Sequence, residues 1–152
     1  MHRIHEYLVG ATIFLLPFLY SLGMSQGRGF LGGMGQDASF YPVFLGMLIW
    51  TVELFLGGKI FFPKSLSFYF SLVFLSLLVL SGIVNLGNII NAEFYGQTGI
   101  FRYVVQTGTM FLYFFGTLYF YNFFRNYQGD IYRFVGKLLL ASFVLSATYS
   151  CL

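Results

Sequence analysis

Three polar side chains lie along one side of a strongly apolar stretch, GIFRYVVQTGTMFLYFF, which covers residues 99–115. Arg102, Gln106 and Thr109 are spaced i, i+4 and i+7, which places them on one face of an α-helix. An arginine on such a face can hold a phosphate or carboxylate through paired, charge-assisted hydrogen bonds. The spacing therefore predicts either an anion-binding face or hydrogen bonds to a neighbouring helix.

A second polar stripe precedes this one, in the stretch SGIVNLGNIIN. Ser81, Asn85 and Asn88 repeat the i, i+4, i+7 spacing, and a loop of about ten residues should make the two helices antiparallel neighbours. In one interpretation the stripes hydrogen-bond to each other, at about 0.6 kcal/mol per bond, and Arg102 reaches the membrane interface beside Glu93. In the other they line an outward-facing cavity, whose candidate substrate-binding residues are Arg102, Gln106, Asn85 and Asn88.

Glu53 is the ionisable residue deepest within an apolar segment, YPVFLGMLIWTVELFLGGKIFF. Its six-residue separation from Lys59 is too long for a helical ion pair. Two interpretations follow, either a proton or cation site, or a carboxylate near the helix end that is hydrated or paired with a basic residue.

Other arrangements that support catalysis are not predicted. His2 and His5 are spaced i, i+3 near the N-terminus, where we expect them at the membrane interface, and no Cys, Asp or Glu cluster accompanies them to bind a metal. The same position argues against a serine triad. Glu53 and Glu93 are expected in opposite halves of the membrane, too far apart to act as a glycosidase pair. We therefore assign no catalytic residue, metal or cofactor.

The composition points to a membrane protein. Of the 152 residues, 58% are hydrophobic and only 9% are charged, against roughly 25% in an average soluble domain. The net charge of +3 does not indicate nucleic-acid binding, because the basic residues are scattered between apolar segments and form no patch. The single cysteine, Cys151, excludes an intrachain disulfide. The expected partner is the lipid bilayer.

Five segments are long and apolar enough to be transmembrane helices, which need about 20 residues. The sequence thus predicts an all-α polytopic bundle in a single domain, 1–152, with spans at about 7–23, 41–62, 66–90, 100–124 and 134–152. Six of the eight Lys and Arg residues fall on one side if the N-terminus is cytoplasmic, which fits the positive-inside rule. These six are Arg3, Lys59, Lys64, Arg125, Arg133 and Lys137, leaving Arg28 and Arg102 outside.

The two ends of the chain raise separate questions. The first span also has the features of a cleavable signal peptide, but further spans follow, and we expect it to remain as an anchor. The last span, SFVLSATYSCL, ends without a polar tail, which suggests either a fragment of a longer polytopic protein or a small subunit that ends at the outer surface.

The order of these features resembles a known family. An apolar anchor is followed by a loop ending QDASFYP, a span VFLGMLIWTVELFLGGK, a short FPKS turn, a span ending SGIVNLGNI and an arginine opening the next span. Over about residues 7–125 this layout is similar to the N-terminal part of the bacterial O-antigen polymerase and O-antigen ligase superfamily, which are multi-pass inner-membrane glycosyltransferases.

The resemblance implies a role in O-antigen or capsular polysaccharide assembly. It implies an outward-facing pocket for an undecaprenyl-pyrophosphate-linked saccharide, to which Arg102 and Gln106 would contribute. The family's catalytic basic and histidine residues lie in a large outer loop of the later half, which has no counterpart in this sequence, so no catalytic residue is carried over. The alternative is a small polytopic accessory or transport subunit that assembles with other membrane subunits.

Overall fold

The structure is a computed structural model that describes residues 2–16, 39–94 and 97–150. The described chain is helical apart from one short hairpin, which confirms the all-α class. Its helices are α1 (His2–Leu15), α2 (Phe40–Phe55), α3 (Leu66–Val84), α4 (Leu86–Asn91), α5 (Gly99–Asn126) and α6 (Ile131–Ser150). Strands β1 (Glu93–Phe94) and β2 (Gln97–Thr98) pair antiparallel within the predicted outer loop. Most of the loop predicted at 23–40 lies outside the described residues.

Two predicted spans are shorter in the structure, and each has a local cause. The second ends at Phe55 instead of residue 62, because Gly57 adopts a φ of 97°, a left-handed conformation that closes the helix. The third ends at Val84 instead of residue 90. There the Asn85 side-chain amide donates to the Ser81 carbonyl at 2.8 Å, and such local bonds compete with helical hydrogen bonding.

Two of the described helices are long and apolar enough to cross a membrane, α3 and Ile131–Thr148 of α6. Only 17% of the α3 span and 6% of the α6 span are buried in the protein. Their apolar side chains are therefore largely exposed, which is unfavourable in water and suits contact with lipid. This exposure suggests association with a membrane. Helix α2 is also apolar, but it is shorter.

The chain forms two compact units, which we describe separately. The first comprises Met1–Phe61 and Tyr119–Leu152. In this unit α1 packs between α2 and α6, and the α1 face that carries His5, Val9 and Ile13 is buried. The Ser142 hydroxyl on α6 donates a hydrogen bond to the Phe14 carbonyl on α1, which links these two helices near the end of α1.

The second unit, Phe62–Leu118, is held by contacts between α3 and the first part of α5. Phe68 and Phe114 stack with ring centroids 5.4 Å apart. The Tyr103 hydroxyl donates to the Leu78 carbonyl at 3.0 Å, and its ring lies against Gly82. A Cβ atom at Gly82 would collide with the end of the Tyr103 ring, so the close approach requires glycine.

We predict that Gly82→Ala destabilises the protein by about 1–3 kcal/mol, because the Tyr103 ring must move and lose its hydrogen bond. Gly108→Ala is the matched control, since a Cβ atom there meets nothing within 4 Å. It should be neutral or stabilising by up to about 1 kcal/mol. Thermal unfolding in detergent, followed by circular dichroism, measures both. Equal midpoints for the two variants would contradict the proposed packing.

Candidate functional site

The predicted polar stripe on α5 is only partly available to a ligand. Arg102 and Gln106 are exposed, whereas Thr109 is half-buried and donates its hydroxyl to the Val105 carbonyl at 2.7 Å. Thr109 therefore bonds within its own helix. The side chain of Glu93, the predicted neighbour of Arg102, lies outside the described part of the structure.

The stripe predicted on the third span does not form one continuous helical face. Ser81 belongs to α3, Asn85 ends that helix, and Asn88 lies on α4. All three are exposed, and the Asn85 amide bonds back to Ser81. Near this stripe, α3 and α5 are in contact through Gly82 and Tyr103. Asn85 and Thr109 therefore form hydrogen bonds to carbonyls of their own segments, and not the predicted hydrogen bonds between the stripes.

A polar cluster that the sequence analysis did not assemble lies in the first unit. His5 on α1 places its Nε2 atom 2.9 Å from Glu53 Oε2 on α2, and its Nδ1 atom 3.1 Å from the Tyr119 hydroxyl on α5. Each imidazole nitrogen thus has a hydrogen-bond partner on a different helix. We call these three residues the His5 cluster.

Aromatic packing and one glycine hold the His5 cluster in place. Tyr119 is almost fully buried, at 1% exposure, with its ring centroid 6.0 Å from that of Trp50 and 5.6 Å from that of His5. A Cβ atom at Gly46 would lie 2.5 Å from the Tyr119 hydroxyl oxygen. Only glycine at position 46 leaves room for the phenol at this depth.

The His5 cluster opens onto a pocket of about 260 Å³. Glu53 Oε2 is bonded to His5, but Glu53 Oε1 is buried and accepts no hydrogen bond. A buried carboxylate oxygen without a donor is energetically unfavourable. The pocket is lined by His5, Trp50, Glu53, Leu54, Gly58, Lys59, Tyr119, Asn122, Phe123 and Asn126.

The segment that follows α2 is fixed beside this pocket by α5. The buried Asn122 amide donates to the Phe61 carbonyl at 2.9 Å, and its oxygen accepts from the Phe61 backbone N–H at 2.8 Å. The Arg125 guanidinium lies over the Phe61 ring, 3.9 Å from its centroid, in a cation–π contact. Lys59, in the same segment, is exposed and lines the pocket.

A second contact links the start of α1 to the end of α5. The Tyr127 hydroxyl donates to Glu6 Oε1 at 3.4 Å. Desolvation and the nearby Glu6 carboxylate raise the pKa of the Tyr127 phenol. The phenol therefore remains a protonated donor over the whole physiological pH range, and α1 has a further attachment one residue from His5.

The sequence analysis expected His5 at the membrane interface; in the structure it is 7% exposed and buried between helices. For Glu53, the interpretation of pairing with a basic residue matches the structure, with His5 as the partner. The available signal was depth, because His5 was expected at the cytoplasmic interface, and Glu53 and Tyr119 fall in the cytoplasmic halves of their predicted spans. No three His, Cys, Asp or Glu residues of the described chain group together to bind a metal.

Comparisons with protein-family models, with characterised proteins and with solved structures found no match to this chain.

We predict that His5→Ala destabilises the protein by about 1–3 kcal/mol, because it leaves the Glu53 carboxylate and the Tyr119 hydroxyl without their partner. Tyr119→Phe removes one hydroxyl and should cost about 1 kcal/mol. Ile4→Ala, at an exposed position on the same helix, is the control and should change stability by no more than about 0.5 kcal/mol. Thermal unfolding in detergent ranks the three variants. An effect of His5→Ala no larger than that of the control would contradict the cluster's role.

Proposed function

We propose that this chain crosses the bacterial inner membrane five times and forms part of a glycan polymerase or ligase. Its substrate would be an undecaprenyl-pyrophosphate-linked saccharide at the outer face, for O-antigen or capsular polysaccharide. The proposal rests on the resemblance in segment order and on the polar residues of the second unit.

The five spans would be formed by α1, α2, α3, α5 and α6, with the N-terminus in the cytoplasm. Helix α5 has 28 residues, which at 1.5 Å per residue gives about 42 Å, longer than the hydrocarbon core. Basic residues near the start of α3 and near the end of α5 support this orientation, because cytoplasmic loops are rich in Lys and Arg. Lys59 and Lys64 lie between α2 and α3, and Arg125 and Arg133 flank the connection between α5 and α6.

The observation that carries the substrate proposal is the exposure of Arg102 and Gln106. They lie one turn apart near the start of α5, whereas Tyr103 makes the contact with α3. The exposed pair is therefore accessible to a ligand. A guanidinium matches the geometry of phosphate oxygens, and the positive end of the helix dipole adds to the attraction.

In this proposal Arg102 holds the diphosphate of the donor through paired hydrogen bonds. The Gln106 amide, one turn further along, can donate to or accept from a sugar hydroxyl. Asn85, which follows the last residue of α3, and Asn88, on α4, are also exposed. They are the remaining candidates for saccharide contacts. The glycosyl transfer itself is assigned to no residue of this chain.

We predict that Arg102→Ala abolishes polymer formation without lowering the amount of protein in the membrane. The test supplies the complete gene to a strain that lacks it, resolves the polysaccharide by gel electrophoresis and quantifies the protein by immunoblot. Arg133→Ala is the matched control, because Arg133 is also an exposed arginine near a helix start but lies on the proposed cytoplasmic side. Normal polymer with Arg102→Ala would reject the donor-binding role.

A second candidate function is a small accessory or transport subunit of a membrane complex. The observation that favours it is the His5 cluster, because ionisable groups buried within membrane proteins often mark proton or ion pathways. The two candidates differ in their genetic setting and in their assembly. A glycan enzyme should be encoded beside polysaccharide genes, whereas a subunit should co-purify with membrane partners and should tolerate Arg102→Ala.

A further inference from the structure

The His5 cluster contains three groups that can carry protons, and their hydrogen bonds restrict where the protons lie. If Glu53 is ionised and His5 is neutral, the Nε2–H group donates to Glu53 Oε2 and the Tyr119 hydroxyl donates to Nδ1. Both bonds are satisfied, but the cluster then has a net charge of −1. Its side chains are largely withdrawn from solvent, with 9% exposure for His5 and 22% for Glu53.

One added proton makes the cluster neutral overall. The proton can lie on His5, so that an imidazolium donates to the carboxylate, or on Glu53 Oε2, which then donates to Nε2. In both cases Nδ1–H donates to the Tyr119 oxygen, so the 3.1 Å contact is kept. The phenol hydrogen loses its acceptor, but an unpaired neutral hydroxyl costs less than a net charge in a desolvated site.

The unpaired oxygen of Glu53 supports the same conclusion. An ionised carboxylate has two oxygens that each seek donors, and here Oε1 is buried without one. A proton on Glu53 removes the negative charge that Oε1 would otherwise carry without a donor. An imidazolium beside the carboxylate offsets part of that charge. The geometry therefore favours the state with the added proton.

Few other charges act on the pair among the described residues. Lys59 lines the same pocket but is exposed, so solvent screens it. Arg3 and Glu6 of α1 line a different groove, between α1 and α6. From α5, Tyr119 faces the pair as a neutral phenol, and the Arg125 guanidinium lies over Phe61.

We propose that His5 and Glu53 form a proton-binding site, which takes up one proton in addition to that of the neutral imidazole, so that the pair has no net charge. The pocket that reaches both residues, with Lys59 at its edge, is the route by which the proton exchanges with the cytoplasmic solution. The ligand of this site is the proton itself, and the site is independent of the glycan proposal, which rests on the second unit.

The test reads the protonation state of both residues at pH 7 in lipid bilayers. The chain has two histidines, so the variant His2→Gln leaves His5 as the only source of histidine signals and does not alter the site. Solid-state NMR with ¹⁵N-histidine gives the state of each ring nitrogen. With ¹³C-glutamate in the same sample, the carboxyl group of Glu53 is identified by its dipolar coupling to Nε2, 2.9 Å from Oε2.

The expected result is a pair with no net charge, seen either as an imidazolium with a carboxylate or as a neutral imidazole with a carboxylic acid. In Glu6→Gln, the control on the same helix, the His5 signals should not change, whereas Glu53→Gln should remove the coupled carboxyl signal and shift the Nε2 resonance. A neutral His5 beside an ionised Glu53 would overturn the proposal, as would protonation of both residues or the absence of any coupling between them.

Discussion

A polar side chain within an apolar helix must bond inside the protein or reach the membrane surface, because hydrocarbon offers it no partner. In the first unit this constraint is met by pairing across helices. His5 bonds to Glu53 and to Tyr119, so one imidazole joins α1, α2 and α5. These two bonds contribute to the docking of α1, and glycine at position 46 leaves the room that Tyr119 needs to reach His5.

The second unit meets the same constraint in another way. Thr109 and Asn85 bond to carbonyls one turn earlier in their own segments, and Tyr103 supplies the contact between helices. Arg102 and Gln106 are exposed near the start of α5. For that reason the proposed ligand contacts lie here, and the proposed proton site lies in the first unit.

Local sequence signals predicted the helices well where apolar runs were long and uninterrupted. Helix α5 was expected at 100–124 and lies at Gly99–Asn126. Two boundaries depended on details that hydropathy does not carry, namely the left-handed Gly57 and the side-chain bond of Asn85. The hairpin of β1 and β2 was too short to leave a strand pattern in the predicted loop.

The His5 cluster could not be predicted from spacing, because His5 and Glu53 are 48 residues apart, and His5 and Tyr119 are 114 apart. Spacing relates residues on one helix, whereas these bonds depend on which helices pack together and at what rotation. The predicted depth in the membrane reduced the number of residues that could bond to Glu53, but it did not identify which of them does. For α5 the position of Arg102 on one helical face was predictable from spacing, but the contact of Tyr103 with α3 was not.

The central claim of the proposal is that α3 crosses a membrane, with Lys64 on the cytoplasmic side and Arg102 on the outer side. Single cysteines at Lys64 and Thr98, in a Cys151→Ser background, report the segments that precede and follow α3. A membrane-impermeant maleimide added to intact spheroplasts should label Thr98→Cys, and should label Lys64→Cys only after the membrane is opened. Labelling of Lys64→Cys in intact spheroplasts, or equal labelling of both positions, would contradict the account.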